Sequence, residues 1–152
     1  MKIQIAHTEP AQQPVAATLA KEICRALPKG EAFMSSVSQA QADGDSLILA
    51  VFSVRNGAFA PLVPFYQEMR DQKVAFVAVL TGPVDQARVR KTVWGIKKQF
   101  CGNHVLAGYL CPAADDVAWG LSQEELGKVL NFARRVYDEH CQPVQEALVV
   151  NY

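Results

Sequence analysis

The chain has 152 residues, and half of them are hydrophobic, which suits one domain with a substantial core. Its 15 Lys and Arg residues equal its 15 Asp and Glu residues, so no net charge attracts nucleic acid or an anionic membrane, and neither partner is expected. No segment approaches the roughly 18–20 apolar residues of a membrane-spanning helix, and the start, MKIQIAHTEP, lacks the cleavage site of a signal peptide. The four cysteines show no CxxC and no metal-ligand spacing, so we expect reduced thiols in a cytoplasmic protein.

Five short segments have the apolar, β-branched composition of strands. The middle one is almost continuously apolar and lies between turn signals at 43–45 and 56–57, which is typical of a strand buried on both faces. The second is short and of mixed character, so we expect it near a sheet edge. The predicted strands are Lys2–Ala6, Glu31–Val37, Ser46–Val54, Lys73–Thr81 and Val105–Cys111.

Four segments have helical features. Pro14 can occupy the first turn of a helix, because its missing N–H has no partner there in any case. Ser122 and Glu125 have the spacing of a capping box, in which each side chain bonds to a backbone N–H of the other residue. The predicted helices are 14–27, Pro61–Asp71, Asp85–Phe100 and a last one from Ser122 to about His140.

The alternation of strands and helices predicts an α/β fold of three layers, a doubly wound parallel sheet with helices on both faces. We expect residues 1–140 to form one domain and residues 141–152 to form a tail. The end of the tail, Ala147–Val150, has strand character. It could add to a sheet edge, join two copies in a homodimer, or pack on its own domain.

The motifs of several doubly wound families are absent. There is no GxGxxG after the first strand, no GxxxxGK[ST] and no GxSxG, which argues against dinucleotide-binding proteins, nucleotide triphosphatases and α/β-hydrolases. A response-regulator receiver would need an aspartate at the end of the central strand, where this chain has Phe52-Ser53-Val54.

What remains resembles the flavodoxin family, and most of all the short flavodoxin-like proteins of anaerobic bacteria. The resemblance covers about residues 2–140 and rests on the element order and on the segments Asp45–Phe59, Lys73–Pro83 and Gly108–Cys111. It implies a five-stranded sheet in the order 2-1-3-4-5 and flavin mononucleotide (FMN) held non-covalently by loops at the strand carboxyl ends. The matching loops are His7–Gln13, Ser53–Ala60, and Thr81–Val84 together with Cys111–Trp119.

The resemblance also implies which residues contact the cofactor. Gly57, after Asn56, permits the positive φ with which a peptide of this loop turns to bond the flavin ring nitrogen. The residues expected at the cofactor site are His7, Thr8, Gln12, Gln13, Ser53, Arg55, Asn56, Gly57, Phe59, Thr81, Gly82, Cys111 and Trp119.

Three aromatic residues are candidates to stack on the flavin ring, namely Phe52, Phe59 and Trp119. Phe52 could instead belong to the core, and Trp119 could cover the last helix. Arg55 could place positive charge near the reduced flavin or near an anionic substrate, or it could be a solvated side chain.

The first loop departs from the family's phosphate-binding pattern, Ser/Thr-x-Thr-Gly-Asn-Thr. The matching positions read His7-Thr8-Glu9-Pro10-Ala11-Gln12, in which Pro10 removes a backbone donor and Glu9 would place a carboxylate beside the phosphate.

Two functions therefore stay open. One is a redox protein that binds FMN and passes electrons to or from a reductase partner protein. The other is a flavodoxin-fold accessory or interaction module without the cofactor. The basic residues of helix 85–100 fit either a solvated surface or a docking patch for an acidic redox partner. A third possibility is a flavin enzyme that acts on a diffusible substrate, but the sequence shows no group of catalytic residues to support it.

Overall fold

A single parallel sheet of five strands organises the protein. The computed structural model describes residues 3–8, 14–41, 46–55, 62, 65, 67–81, 86–113 and 121–141. The strands are β1 (Ile3–His7), β2 (Ala32–Ser36), β3 (Leu47–Arg55), β4 (Lys73–Thr81) and β5 (His104–Pro112). They are hydrogen-bonded in the order β2-β1-β3-β4-β5, and all four pairings are parallel. This confirms the predicted α/β class, the strand order and the edge position of the second strand.

Three long helices are described, α1 (Pro14–Ala26), α2 (Gln86–Gln99) and α3 (Gln123–His140). A short 3₁₀ helix, Val37–Gln39, follows β2. Residues 61, 63, 64 and 66 of the predicted second helix lie outside the described residues, and its Leu62, Phe65 and Met69 are buried as expected. Of the predicted tail, only Cys141 is described. Within the described residues, none of the helices combines the length and the hydrophobicity needed to cross a bilayer.

Two apolar cores lie on opposite faces of the sheet and give the protein its three layers. Successive residues of β3 supply both, because side chains alternate between the faces of a strand. Leu49 and Val51 pack with α1 and α3 on one face, and Ile48 and Phe52 pack with Ile96 and Phe100 of the α2 region on the other. From Leu47 to Phe52 every side chain of β3 is at most 1% exposed, which confirms that this strand is buried on both faces.

The edge strand β5 packs differently on its two faces. On the α2 face, Gly108 pairs with Phe76, and a Cβ at Gly108 would come within 2.3 Å of the Phe76 ring. The missing side chain therefore makes room for Phe76, which also stacks on Phe100 at 6.1 Å between ring centroids. On the α3 face, Tyr109 contacts Phe132 at 5.5 Å between centroids.

The turn that joins α2 to β5 is fixed by Asn103. Its side-chain amide donates to the carbonyl oxygen of Phe65 at 2.8 Å, and its Oδ1 accepts from the backbone N–H of Gln72 at 3.1 Å. The buried amide of Gln72 in turn donates to the carbonyl oxygen of Ser46 at 2.7 Å. These bonds tie the exit of α2 to the amino ends of β3 and β4.

Candidate functional site

The carboxyl edge of the sheet has a step between β1 and β3. The last residue of β1, His7, lies opposite Val51, whereas β3 continues for four more residues to Arg55. β4 stays in register with β3 throughout, so that Arg55 pairs with Thr81. At about 3.3 Å per residue, β3 and β4 extend about 13 Å beyond the end of β1. The strand order reverses between β1 and β3, and in open α/β sheets ligands bind at such a point.

His7 and Thr8 form the floor of this step, and both are nearly buried, at 8% and 3% exposed. The Nδ1 atom of His7 lies 2.8 Å from the carbonyl oxygen of Thr8. A carbonyl can only accept, so Nδ1 carries the proton, and Nε2 carries the lone pair when the ring is neutral. The backbone N–H of Thr8 donates to the carbonyl oxygen of Val51 at 3.2 Å, which holds the end of β1 against the projecting strand.

The wall of the step carries positive charge. Ser53 is half-buried and Arg55 is exposed. Both alternate with Phe52 and therefore lie on the face of the sheet that α1 covers, as Val51 does. Helix α1 begins at Pro14, a short loop after the end of β1 at His7. Its amino end adds the positive pole of the helix dipole. Among the described residues that end β1, β3 and β4, none is a carboxylate.

A second polar cluster lies at the carboxyl end of β5. The Cys111 side chain is fully buried, with its Sγ 3.8 Å from Oε2 of Glu125, and the Tyr109 hydroxyl donates to the same oxygen at 3.4 Å. Lys128 Nζ lies 3.5 Å from the other oxygen, Oε1. Burial and then the Glu125 charge raise the pKa of the Cys111 thiol to about 12. The thiol is therefore protonated at neutral pH and lacks the reactivity of a nucleophile.

Because the Glu125 carboxylate contacts Tyr109 and Cys111, only one of the two hydrogen bonds of the predicted capping box is formed. The Ser122 side chain accepts from the backbone N–H of Glu125 at 3.2 Å, as expected. The reciprocal bond was predicted wrongly, because the Glu125 carboxylate turns to Tyr109 and Cys111 instead. No pattern in the sequence indicates Glu125 as a partner of Cys111. The two are 14 residues apart, and only the packing of α3 on β5 brings them together.

The structure places six of the predicted site residues. His7, Thr8, Ser53 and Arg55 lie together at the step, with the backbone of Thr81 beside Arg55, and Cys111 lies at the end of β5 against Glu125. Phe52 is fully buried in the core, which confirms the core alternative and removes it as a stacking residue. The predictions that lie outside the described residues are Gln12, Gln13, Asn56, Gly57, Phe59, Gly82 and Trp119.

Solved structures with the same fold are flavodoxins and their relatives. A flavodoxin of Streptococcus pneumoniae is similar with a TM-score of 0.59 and 9% identity, over 91% of this chain and 99% of that one. A protein described as a quinone reductase from Klebsiella pneumoniae gives 0.57 and 10%, over 95% and 87%. A short-chain flavodoxin associated with a bacterial microcompartment gives 0.50 and 13%, over 90% and 96%. No protein-family model matches the chain, and no curated protein matches it by sequence. These similarities show that the chain has the flavodoxin-like fold.

Proposed function

We propose that this chain is a flavodoxin-like redox protein that binds FMN non-covalently and exchanges electrons with a reductase partner in the cytoplasm. The observation that carries the proposal is the step between β1 and β3. It combines the crevice of a doubly wound sheet with an exposed arginine, a buried histidine and no described carboxylate. Similar structures include two flavodoxins and a protein described as a quinone reductase, which supports a flavin as the ligand. None of the four cysteines is in a disulfide bond, which supports a reducing compartment.

The described part of the site fits an anionic cofactor. The amino end of α1 and His7 would hold the phosphate, because they bring a helix dipole and an imidazole to one edge. Arg55, about 13 Å farther along β3, would place positive charge near the flavin ring. By resemblance, Asn56, Gly57, Phe59, Gly82 and Trp119 would contact the flavin ring. Bound flavin accepts and donates electrons singly or in pairs, and the protein supplies its position and electrostatics.

Arg55 has a specific part in this proposal. It ends the central strand, and its pairing with Thr81 ties it to β4, so its backbone position is fixed by two strands. A cation held there would stabilise negative charge on the reduced ring or on an anionic substrate. The surrounding strands lend rigidity, and the solvent exposure of Arg55 limits the size of the effect.

The test is the visible absorption spectrum of the purified chain, before and after incubation with FMN. We expect bound flavin to give a perturbed visible spectrum, and titration calorimetry to give a defined stoichiometry. Arg55→Ala should weaken binding severalfold. Arg25→Ala serves as the matched control, because Arg25 is an exposed arginine at the opposite end of α1. A chain that stays colourless and releases no heat on titration is not a flavin carrier.

The second candidate is an accessory module of the same fold that has no cofactor. Two observations favour it, namely the Glu9-Pro10 sequence of the first loop and the burial of Thr8, which is only 3% exposed. In that case the chain acts through its surfaces. Assembly of two copies through the strand-like end Ala147–Val150 also stays a prediction, and sedimentation of the chain with and without residues 142–152 checks it.

A further inference from the structure

The outward face of α2 carries several cations and one large aromatic side chain. Of the α2 side chains whose exposure is described, six are exposed, and four of these are the cations Arg90, Lys91, Lys97 and Lys98. The other two are Ala87 and Trp94, and the indole of Trp94 is 62% exposed. At 100° per residue, all six fall within about 120° of the helix circumference, opposite the buried Thr92 and Ile96. We call this surface the basic face.

Positive charge is concentrated in helix α2. Helix α2 contains five of the 15 basic residues and none of the 15 acidic ones, so its formal charge is +5 and that of the remaining chain is −5. The zero net charge of the chain is thus divided unevenly between α2 and the rest of the sequence.

Helix stability does not explain the whole of this charge pattern. The first turn of a helix favours acidic residues, since the amino end carries partial positive charge, yet α2 has none there. Lys97 and Lys98 lie in the last turn, where cations stabilise a helix, but Arg90 and Lys91 lie in its amino-terminal half and gain no such effect. Lys98 Nζ lies 3.9 Å from the centroid of the Trp94 ring, so the exposed indole contacts a cation. The exposed Trp94 and the cations of the amino-terminal half are thus more readily explained by binding than by folding.

We propose that the basic face is the docking surface for an acidic protein partner, with Trp94 as its central anchor. Tryptophan and arginine are enriched among the residues that dominate interface energies. A helix of 14 residues is about 21 Å long, and one face of it buries less than the roughly 800 Å² per partner of a standard interface, so the complex is weak and transient.

Charge distribution and composition favour a protein over the other polyanions. An extended nucleic acid carries charge along its whole length, and the zero net charge of the chain gives no general attraction for it, whereas an acidic patch on a protein is bounded. An anionic membrane would need several apolar side chains to insert, and the basic face offers Trp94 and Ala87 alone. Docking here does not require flavin, so this inference stands or falls separately from the proposed function.

The test uses the whole purified chain and a short helical peptide with glutamates around a central tyrosine, with glutamine in place of glutamate in the control peptide. We expect the acidic peptide alone to bind, more weakly as salt is added. Lys97→Glu with Lys98→Glu should reduce its affinity about tenfold or more. The matched control is Arg134→Glu with Arg135→Glu, an equal charge reversal on exposed positions of α3, and should reduce it less than about twofold.

Trp94→Ala tests the contribution of the Trp94 ring to peptide binding separately from that of the cations. It should weaken binding of the tyrosine-containing peptide severalfold and leave the salt dependence unchanged, and Trp94→Phe should restore part of the loss. Equal losses in the α2 and α3 reversals would overturn the proposal, because net charge alone would then explain binding. Tighter binding of a single-stranded oligonucleotide or of phosphatidylserine vesicles than of the peptide would overturn it as well. Thermal unfolding of each variant identifies any loss that comes from misfolding.

Discussion

Helices α2 and α3 cover opposite faces of the edge strand β5. Both have basic residues in the last turn, but they differ in the first turn and in the balance of their exposed charges. Helix α3 has an N-cap at Ser122, acidic residues in its first turn, a histidine in its last turn and five buried side chains. Its exposed charges are balanced, with three acidic and three basic residues. Helix α2 has no acid in its first turn, and the charged side chains described as exposed on it, Arg90, Lys91, Lys97 and Lys98, are all cations. Stability accounts for nearly every residue of α3. In α2 it accounts for the inward face and the last-turn lysines, and it leaves the rest of the outward face to binding.

The largest expected effect tests how α2 is attached. Phe100, which follows the helix directly, is 1% exposed and contacts both Phe65, edge-on at 5.0 Å, and Phe76. Phe100→Ala should lower the free energy of unfolding by about 3–5 kcal/mol, because it empties the centre of this core. Denaturant unfolding followed by circular dichroism measures the change.

Trp94→Ala is the matched control on the same helix, since it also removes an aromatic ring. The ring is exposed, so we expect a change within about 0.5 kcal/mol. If Trp94→Ala proved as costly as Phe100→Ala, the basic face would belong to the fold, and the contrast between the two helices would disappear.

The next prediction concerns pH and the α3 side of β5. Burial and the Glu125 carboxylate raise the pKa of Cys111 from 9.0 to about 12. The folded state therefore favours the neutral thiol. The stability that the folded protein gains from the raised pKa of Cys111 is fully present below pH 9 and is lost as pH rises toward about 12.

Glu125→Gln should lower the pKa of Cys111, because it removes the second of the two causes. The pKa should stay above 9.0, because burial, the larger cause, remains. The NMR shift of labelled Cys111 during a pH titration measures both statements. An unchanged pKa in the variant would mean that the contact of 3.8 Å between Cys111 and Glu125 carries no electrostatic coupling.

The N-cap of α3 gives a smaller effect. Ser122→Ala removes the acceptor for the backbone N–H of Glu125 and should cost about 1 kcal/mol of stability, and Ser122→Gly only a few tenths. Thermal unfolding of both variants checks the order. Equal stability of Ser122→Ala and the parent chain would show that solvent replaces the cap.

The sequence predicted the framework because its signals are local. Strands β3 and β4 are apolar runs bounded by turn residues, and both were placed within one residue of their observed limits. The capping sequence located the start of α3 equally well. The strand order needed the family resemblance, since composition and periodicity say that strands are parallel and nothing about which are neighbours.

The site was less predictable, because its geometry depends on register. That β3 extends four residues beyond β1 follows from the pairing of His7 with Val51, which no local pattern encodes. The contact of Glu125 with Cys111 depends in the same way on how α3 packs against β5. The cations of α2 were visible in the sequence, but only the burial of Ile96 and Thr92 shows that they share one outward face with Trp94.

The smallest predicted effects compare the two helices most directly. Replacing an exposed arginine with glutamate should stabilise the chain in α2 and destabilise it in α3. Arg90→Glu replaces a cation with an acid toward the amino end of α2, where the helix dipole favours negative charge, so it should stabilise the chain by about 0.3–0.5 kcal/mol at low salt. Arg135→Glu in α3 places a like charge three and four residues before Asp138 and Glu139 and should destabilise by a similar amount. Both effects should shrink as salt is added, because exposed charges are screened. If Arg90→Glu destabilised as well, the cations of α2 would contribute to folding after all, and the argument that they are kept for a partner would fail.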